Sequence, residues 1–249
     1  MNGQLCLQVS GLGKRYGGLD ALMGINLSVR EGIRQAVLGP NGAGKTTLFR
    51  ILSGEIAPSR GTVAFRGTDI TNDPPYRRAV MGIARTFQVT TLFPRLTTLE
   101  NIILAVQGTR RTKYIPYRAV QRMGALLEEA GHLLDQVGLA GREAMQVDSL
   151  AYGEQRQLEI GLALASHPSL LLLDEPSAGL ARAEVSRILA LLRALPREIT
   201  ILFIEHNMDV AFALAETVTV LSQGQMVAEG PLDTIRANTL VQEIYLGKI

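Results

Sequence analysis

The chain has 249 residues, 47% of them apolar and 19% charged, and a formal net charge of +2. That balance excludes a disordered chain, and Lys and Arg scattered along its length exclude the basic patch of a nucleic-acid binder. Cys6, the single cysteine, excludes both a disulfide framework and a cysteine-rich metal site, and suits a reducing compartment.

No apolar run approaches the roughly 18–20 residues that cross a bilayer. Met1–Leu12 lacks the basic segment and apolar stretch of a signal peptide. Any membrane role is therefore expected to be peripheral, through a partner.

Weak alternation over Leu5–Val9 predicts an edge strand. Arg34–Leu38 predicts a short strand closed by the turn residues Gly39-Pro40-Asn41-Gly42, and Gly44–Leu52 has helical spacing. Further strands are expected at Thr62–Phe65 and Gly82–Phe87. From about Leu96 to Leu150 β-branched clusters thin out. Ala119–Val137 carries Leu126, Leu127, Leu133 and Leu134 at helical spacing, so this segment predicts a helical insertion. The basic stretch Gly108–Pro116, with Tyr114, is expected to be a loop between helices. Leu170–Leu173, Thr200–Ile204 and Thr217–Leu221 predict buried strands, separated by helices at Ala183–Leu195 and Met208–Ala215. Strands alternating with helices in this way imply an α/β fold with a mostly parallel central sheet.

Gly39-Pro40-Asn41-Gly42-Ala43-Gly44-Lys45-Thr46 fits the phosphate loop G-x-x-x-x-G-K-[ST], after a predicted strand and opening a predicted helix. Its glycines let successive backbone N–H groups face one anion, and the helix adds its positive end. Lys45 would reach the β- and γ-phosphates of ATP, and Thr46, followed by Thr47, would offer its hydroxyl to Mg²⁺. Leu170–Leu173 ends in Asp174 and Glu175. In a parallel sheet these lie at the carboxyl edge, where ligands bind, so Asp174 is expected to face Mg²⁺ through a bound water and Glu175 to serve as general base. Thr200–Ile204 ends in Glu205 and His206, and the His206 ring could contact the γ-phosphate and hold Glu175 in register.

With these residues, Gln88 and Leu150-Ala151-Tyr152-Gly153-Glu154-Gln155 in order, the whole chain resembles the nucleotide-binding subunit of ABC transporters. The resemblance implies a P-loop NTPase core with an N-terminal antiparallel β region and an inserted helical subdomain. One nucleotide-binding domain would span 1–249, with 1–95 and 151–249 as catalytic core and about 96–150 as helical subdomain. It further implies that Tyr16 stacks on adenine, and that Gln88 joins core to helical subdomain and contacts the metal and the reaction centre. Leu150–Glu154, with Ala151, Tyr152, Gly153 and Glu154, would form the signature motif that contacts ATP bound by a second subunit. Ser177–Ala181 would be the D-loop. Partners would be a second ATPase subunit, identical or different, in a head-to-tail dimer, and two integral membrane permease subunits. A secreted substrate-binding protein would act indirectly, and the chain would lie at the cytoplasmic face of the cell membrane.

Gly82–Gln88, Leu99-Glu100-Asn101, the tyrosine in the signature, Glu205–Met208 and Tyr245–Gly247 are similar to branched-chain amino acid importers. Urea or amide import, lipid extraction and non-transport ABC ATPases are the alternatives. Val89–Thr98, with Leu92, Phe93 and Leu96, would line the groove for the permease's coupling helix, or else be core. Two residues depart from the family's pattern: Ala151 stands for the signature serine and Ala181 for the D-loop aspartate.

Overall fold

The computed structural model describes residues 4–86, 92–109 and 119–246. By packing, the chain forms two units. The first comprises Met1–Arg85, Ser169–Ser177 and Leu195–Ile249, and the second Thr86–Pro168 and Ala178–Ala194.

Two sheets make up the first unit. One is four-stranded and antiparallel, in the order β2-β1-β4-β5, from β1 (Leu5–Tyr16), β2 (Leu19–Arg30), β4 (Arg60–Phe65) and β5 (Thr68–Asp69). β1 is thus an inner strand of twelve residues rather than the expected short edge strand. Register shifts between Val9 and Lys14 break its alternation, so only its first half reads as a strand in the sequence. β2 escaped the sequence reading although Ile25–Arg30 alternates strictly between buried and exposed.

The second sheet has the order β10-β9-β3-β8-β7-β6. Its strands are β3 (Arg34–Leu38), β6 (Ile83–Arg85), β7 (Leu170–Asp174), β8 (Thr200–Ile204), β9 (Thr217–Ser222) and β10 (Gln225–Pro231). All pairs are parallel except β9–β10. β3, β7 and β8 are buried at every residue, as strands covered on both faces must be. One apolar cluster joins the two sheets and α1 (Lys45–Leu52), including Leu7, Ile25, Phe49, Leu172 and Ile204. α2 (Pro75–Met81) leads into β6, and α7 (Met208–Leu214), α8 (Leu232–Arg236) and α9 (Thr239–Leu246) complete this unit.

Arg78 on α2 is buried to 1% exposure, and its hydrogen bonds go to the main chain although the charges of Asp73 and Asp69 reach it. All five of its N–H groups donate to main-chain carbonyls: Asp73 (2.9 Å), Ile51 (2.7 Å), Leu52 (2.9 Å), Ile70 (2.6 Å) and Thr71 (3.1 Å). Ile51 and Leu52 close α1, so this guanidinium caps the carboxyl end of the helix that follows the phosphate loop.

The second unit is helical: α3 (Thr98–Thr109), α4 (Ala119–Gln136), α5 (Tyr152–Leu164) and α6 (Arg182–Ala194). It extends beyond the expected 96–150 segment by taking in α5 and α6. Thr97 and Glu100 form a reciprocal capping box at the start of α3. Leu126, Leu133 and Leu134 are core, whereas Leu127 is 41% exposed because it falls just outside the buried arc of α4. Leu92 is buried but Phe93 is 55% exposed. The backbone of Phe93 is held on both sides by the Asn101 side chain, which accepts from its N–H at 2.9 Å and donates to its carbonyl at 3.1 Å. Gln88, Val89–Thr91, most of the Gly108–Pro116 stretch and Gly247 lie outside the described residues.

Candidate functional site

β3, β8 and β7 are adjacent and parallel, so the residues that follow them gather at one edge of the sheet. After β3 the chain turns at Gly39, whose φ is 151°. A Cβ there would lie 2.1 Å from the Leu221 carbonyl oxygen, a main-chain atom that cannot yield. Gly44, at φ 101°, directly precedes α1 and is equally closed, with the Ala21 carbonyl oxygen 2.7 Å from its would-be Cβ. The first helical hydrogen bond is Leu48 N–H to Gly44 O, at 2.9 Å. The N–H groups of Lys45, Thr46 and Thr47 precede it and form a donor set for an anion.

The Lys45 ammonium, 4% exposed as a residue, donates to the carbonyls of Gly39 (2.6 Å) and Pro40 (2.9 Å). It is thus folded back along the loop, among Gly39, Pro40, Asn41, Gly42 and Ala43. Burial lowers its pKa, while the charges of Glu175 and Asp174 oppose that shift.

Asp174, the last residue of β7, is 1% exposed. Its Oδ2 accepts from Arg85 Nη2 at 2.8 Å, and its Oδ1 is buried with no partner. Burial raises the pKa of this carboxyl and Arg85 counters it. An orphaned carboxylate oxygen at the end of a parallel strand fits a hard divalent cation, with the exposed Thr46 hydroxyl as a second ligand. Among the described residues no group of three or more His, Cys, Asp or Glu side chains could hold a metal. Phosphate oxygens and water would therefore have to complete the shell of any such cation.

Glu175 sits at φ 50°, the left-handed region that a glutamate rarely adopts. Its N–H donates to Ile204 O at 3.1 Å, which turns the side chain out of the β7 line. The Glu175 carboxylate meets Nε2 of His206, and its side chain is 14% exposed against 42% for His206. Next to His206 in the chain is a residue to which sequence reasoning assigned no role. Glu205, 2% exposed, accepts from Ser177 N–H (3.1 Å) and His206 N–H (3.3 Å), tying together the segments that follow β7 and β8. Burial raises its pKa against these two hydrogen bonds.

Tyr16 ends β1 and is 43% exposed, with the Lys14 ammonium 5.2 Å from its ring centre. Part of the ring remains available for stacking. Gln88 lies outside the described residues.

In the helical unit, Ala151 precedes α5 in extended geometry. Only the return half of a capping box forms there: Glu154 accepts from Ala151 N–H at 3.0 Å, and Ala151 has no hydroxyl to accept in turn. Glu184 bridges the starts of two helices, accepting from Gly153 N–H (3.2 Å) and Ala181 N–H (2.8 Å). Tyr152 is 46% exposed. Replacing Ala151 by Ser completes the cap and is expected to stabilise the chain by about 0.5–1 kcal/mol, read by urea unfolding. A neutral or negative change would show that the N-terminus of α5 does not need the cap.

The sequence pattern of one family, described as ABC transporter, matches residues 22–178. The chain is 38% identical over 251 aligned positions to the "high-affinity branched-chain amino acid transport ATP-binding protein BraF" of Pseudomonas aeruginosa. That alignment covers 97% of this chain and 98% of the relative. It is 36% identical to the LivG protein of the same description from Escherichia coli, over 98% and 99% of the two chains. Among solved structures it is similar to the ADP conformation of MJ1267, an ATP-binding cassette of an ABC transporter. There the TM-score is 0.85 and the identity 30%, with 98% of this chain and 99% of that one covered. It is also similar to a dimeric post-hydrolysis cassette, MJ0796, bound to ADP and Pi, with TM-score 0.77, identity 26% and coverage of 91% and 98%.

Proposed function

Since this chain belongs to the ABC transporter family and is one of its ATP-hydrolysing subunits, we propose that it powers the import of branched-chain amino acids. Identity of 36–38% to two branched-chain amino acid transport proteins, over nearly the full length of each, carries the cargo assignment. The gathering of Lys45, Asp174, Glu175 and His206 at one sheet edge supports the chemistry. The proposed setting is the cytoplasmic face of the cell membrane, docked on two permease subunits, with a secreted binding protein delivering cargo. No helix among the described residues is long and apolar enough to cross a membrane, which suits a docked subunit. Residues 1–249 act as one nucleotide-binding domain, with Phe93 as the exposed apolar contact for the permease.

The phosphate-loop N–H groups and Lys45 hold the β- and γ-phosphates, and Tyr16 stacks on adenine. Thr46, Asp174 and Gln88 would hold Mg²⁺, which when bound would neutralise charge developing on the phosphates. Glu175 accepts the proton of the attacking water, and His206 keeps the Glu175 carboxylate aimed. Ala151, Tyr152, Gly153 and Glu154 meet ATP held by the second ATPase subunit.

Co-reconstitution with the permeases and binding protein tests this. Leucine, isoleucine or valine is expected to stimulate ATP hydrolysis and ATP-dependent uptake. Stimulation by urea or acetamide and not by leucine would move the cargo assignment, and stimulation by neither would remove import. In a mixed dimer whose other subunit has a serine signature, the site on this chain's own phosphate loop is expected to turn over faster. Ala151→Ser should then raise turnover at the partner's site, read by inactivating one site at a time. An unchanged partner-site rate would discard the asymmetry.

A further inference from the structure

Arg85, on β6, spans two carboxylates. Its Nη2 donates to Asp174 Oδ2 at 2.8 Å, and its Nη1 donates to Glu55 Oε1 at 2.5 Å and to Ser53 Oγ at 3.1 Å. Ser53 is the residue that closes α1, and its hydroxyl donates to Glu55 Oε1 at 2.9 Å. Glu55 is also paired with Arg50, in the last turn of α1, at 3.4 Å. The Arg85 side chain is 7% exposed and that of Asp174 1%, so this is a water-poor contact in which charge and geometry are both strongly felt.

We propose that Arg85 is the positioning residue of the metal-facing aspartate: it engages Oδ2 of Asp174, leaves Oδ1 for the divalent cation, and ties that carboxylate to the far end of the phosphate-loop helix. This rests on the nucleotide reading above and extends it. A carboxylate with one oxygen bound by a planar guanidinium has its rotation about χ2 fixed, so the other oxygen faces one direction. The same guanidinium anchors on Ser53 and Glu55, beyond the carboxyl end of α1, while the amino end of α1 carries Lys45 and Thr46. One side chain thereby sets the distance between the two ligands contributed by different elements, Asp174 from β7 and Thr46 from α1. Lysine could neutralise Asp174 but could not bridge both anchors with fixed geometry.

The test titrates Mn²⁺ into full-length chain with bound ATP and reads free Mn²⁺ by its EPR signal. Arg85→Lys and Arg85→Gln are compared with the wild-type chain. Loss of an outer-shell partner of this kind is expected to weaken metal affinity about 10–100-fold. Binding of a fluorescent ATP analogue in EDTA should stay within about twofold, because the phosphate loop is untouched. Glu55→Gln, which keeps Arg85 on Asp174 and weakens its anchor, serves if the Arg85 variants do not fold; an intermediate loss of Mn²⁺ affinity is expected. Unchanged Mn²⁺ affinity in all soluble variants, with only lower thermal stability, would overturn the inference and leave Arg85 a structural bolt. If the wild-type chain shows no ATP-dependent Mn²⁺ binding at all, the nucleotide reading itself fails, a result distinct from the previous one.

Discussion

Glu175→Gln is expected to lower the rate of ATP hydrolysis about 10²–10⁴-fold, the usual contribution of a positioned general base. The substitution keeps the size of the side chain and its ability to contact the His206 ring, and removes only the capacity to take a proton. Glu175 supplies no donor to the phosphates, and the substitution leaves Lys45 and the phosphate-loop N–H groups in place, so ATP affinity should change little. With chemistry blocked and binding intact, two chains should remain joined around ATP and elute as a dimer, which size-exclusion chromatography with ATP and Mg²⁺ would detect. His206→Ala should give a smaller loss of the same kind, because the carboxylate stays but loses its neighbour. Normal turnover of the Glu175→Gln chain would remove Glu175 as the base. The backbone gives a further reason to single out this position. A glutamate held at φ 50° is strained, and such strain persists only where the surrounding structure imposes it.

Arg78→Met should lower stability by about 3–5 kcal/mol, with urea unfolding of the chain as the measurement. Methionine roughly fills the space but removes the guanidinium from five main-chain carbonyls; Ile51 O keeps the Gly54 N–H and Ile70 O the Asp73 N–H, whereas Leu52, Thr71 and Asp73 lose the donor they had. Buried carbonyls deprived of a partner cost about 1–3 kcal/mol each where water cannot reach them, so partial rehydration still leaves a large deficit. Arg78→Lys should recover only part, since an ammonium has three donors and no planar fork. ATP affinity should fall along with stability, because the Ile51 and Leu52 carbonyls belong to α1. A loss under about 1 kcal/mol for Arg78→Met would show that those carbonyls find water or other donors.

Much of the nucleotide site was legible because its chemistry demands particular residues at fixed spacing. Gly39, Gly44, Lys45 and Thr46 occupy one short loop, and an apolar run ending in Asp174-Glu175 announces a buried parallel strand by itself. Arg85, Glu205 and Arg78 were not legible. Each is a charged residue in or beside a short element, and nothing local distinguishes it from a solvated surface group. What gives Arg85 its role lies 30 residues away at Glu55 and 89 away at Asp174. Departures from alternation hid strands in the same way. β1 contains register shifts, and β2 contains Gly24 at φ 72°, so neither shows a clean period over its length.

The sequence by itself determined the phosphate loop, the parallel strands β3, β7 and β8, and the helices α4 and α6, because glycine stereochemistry and hydrophobic period are local properties of the chain. Only the tertiary structure decided which carboxylate oxygen of Asp174 is left for a cation, which N–H groups Glu205 and Glu184 hold, and which cation caps α1. Those outcomes depend on burial and on partners distant in sequence. A buried charge takes its meaning from the groups that replace its water, and folding alone brings those groups together.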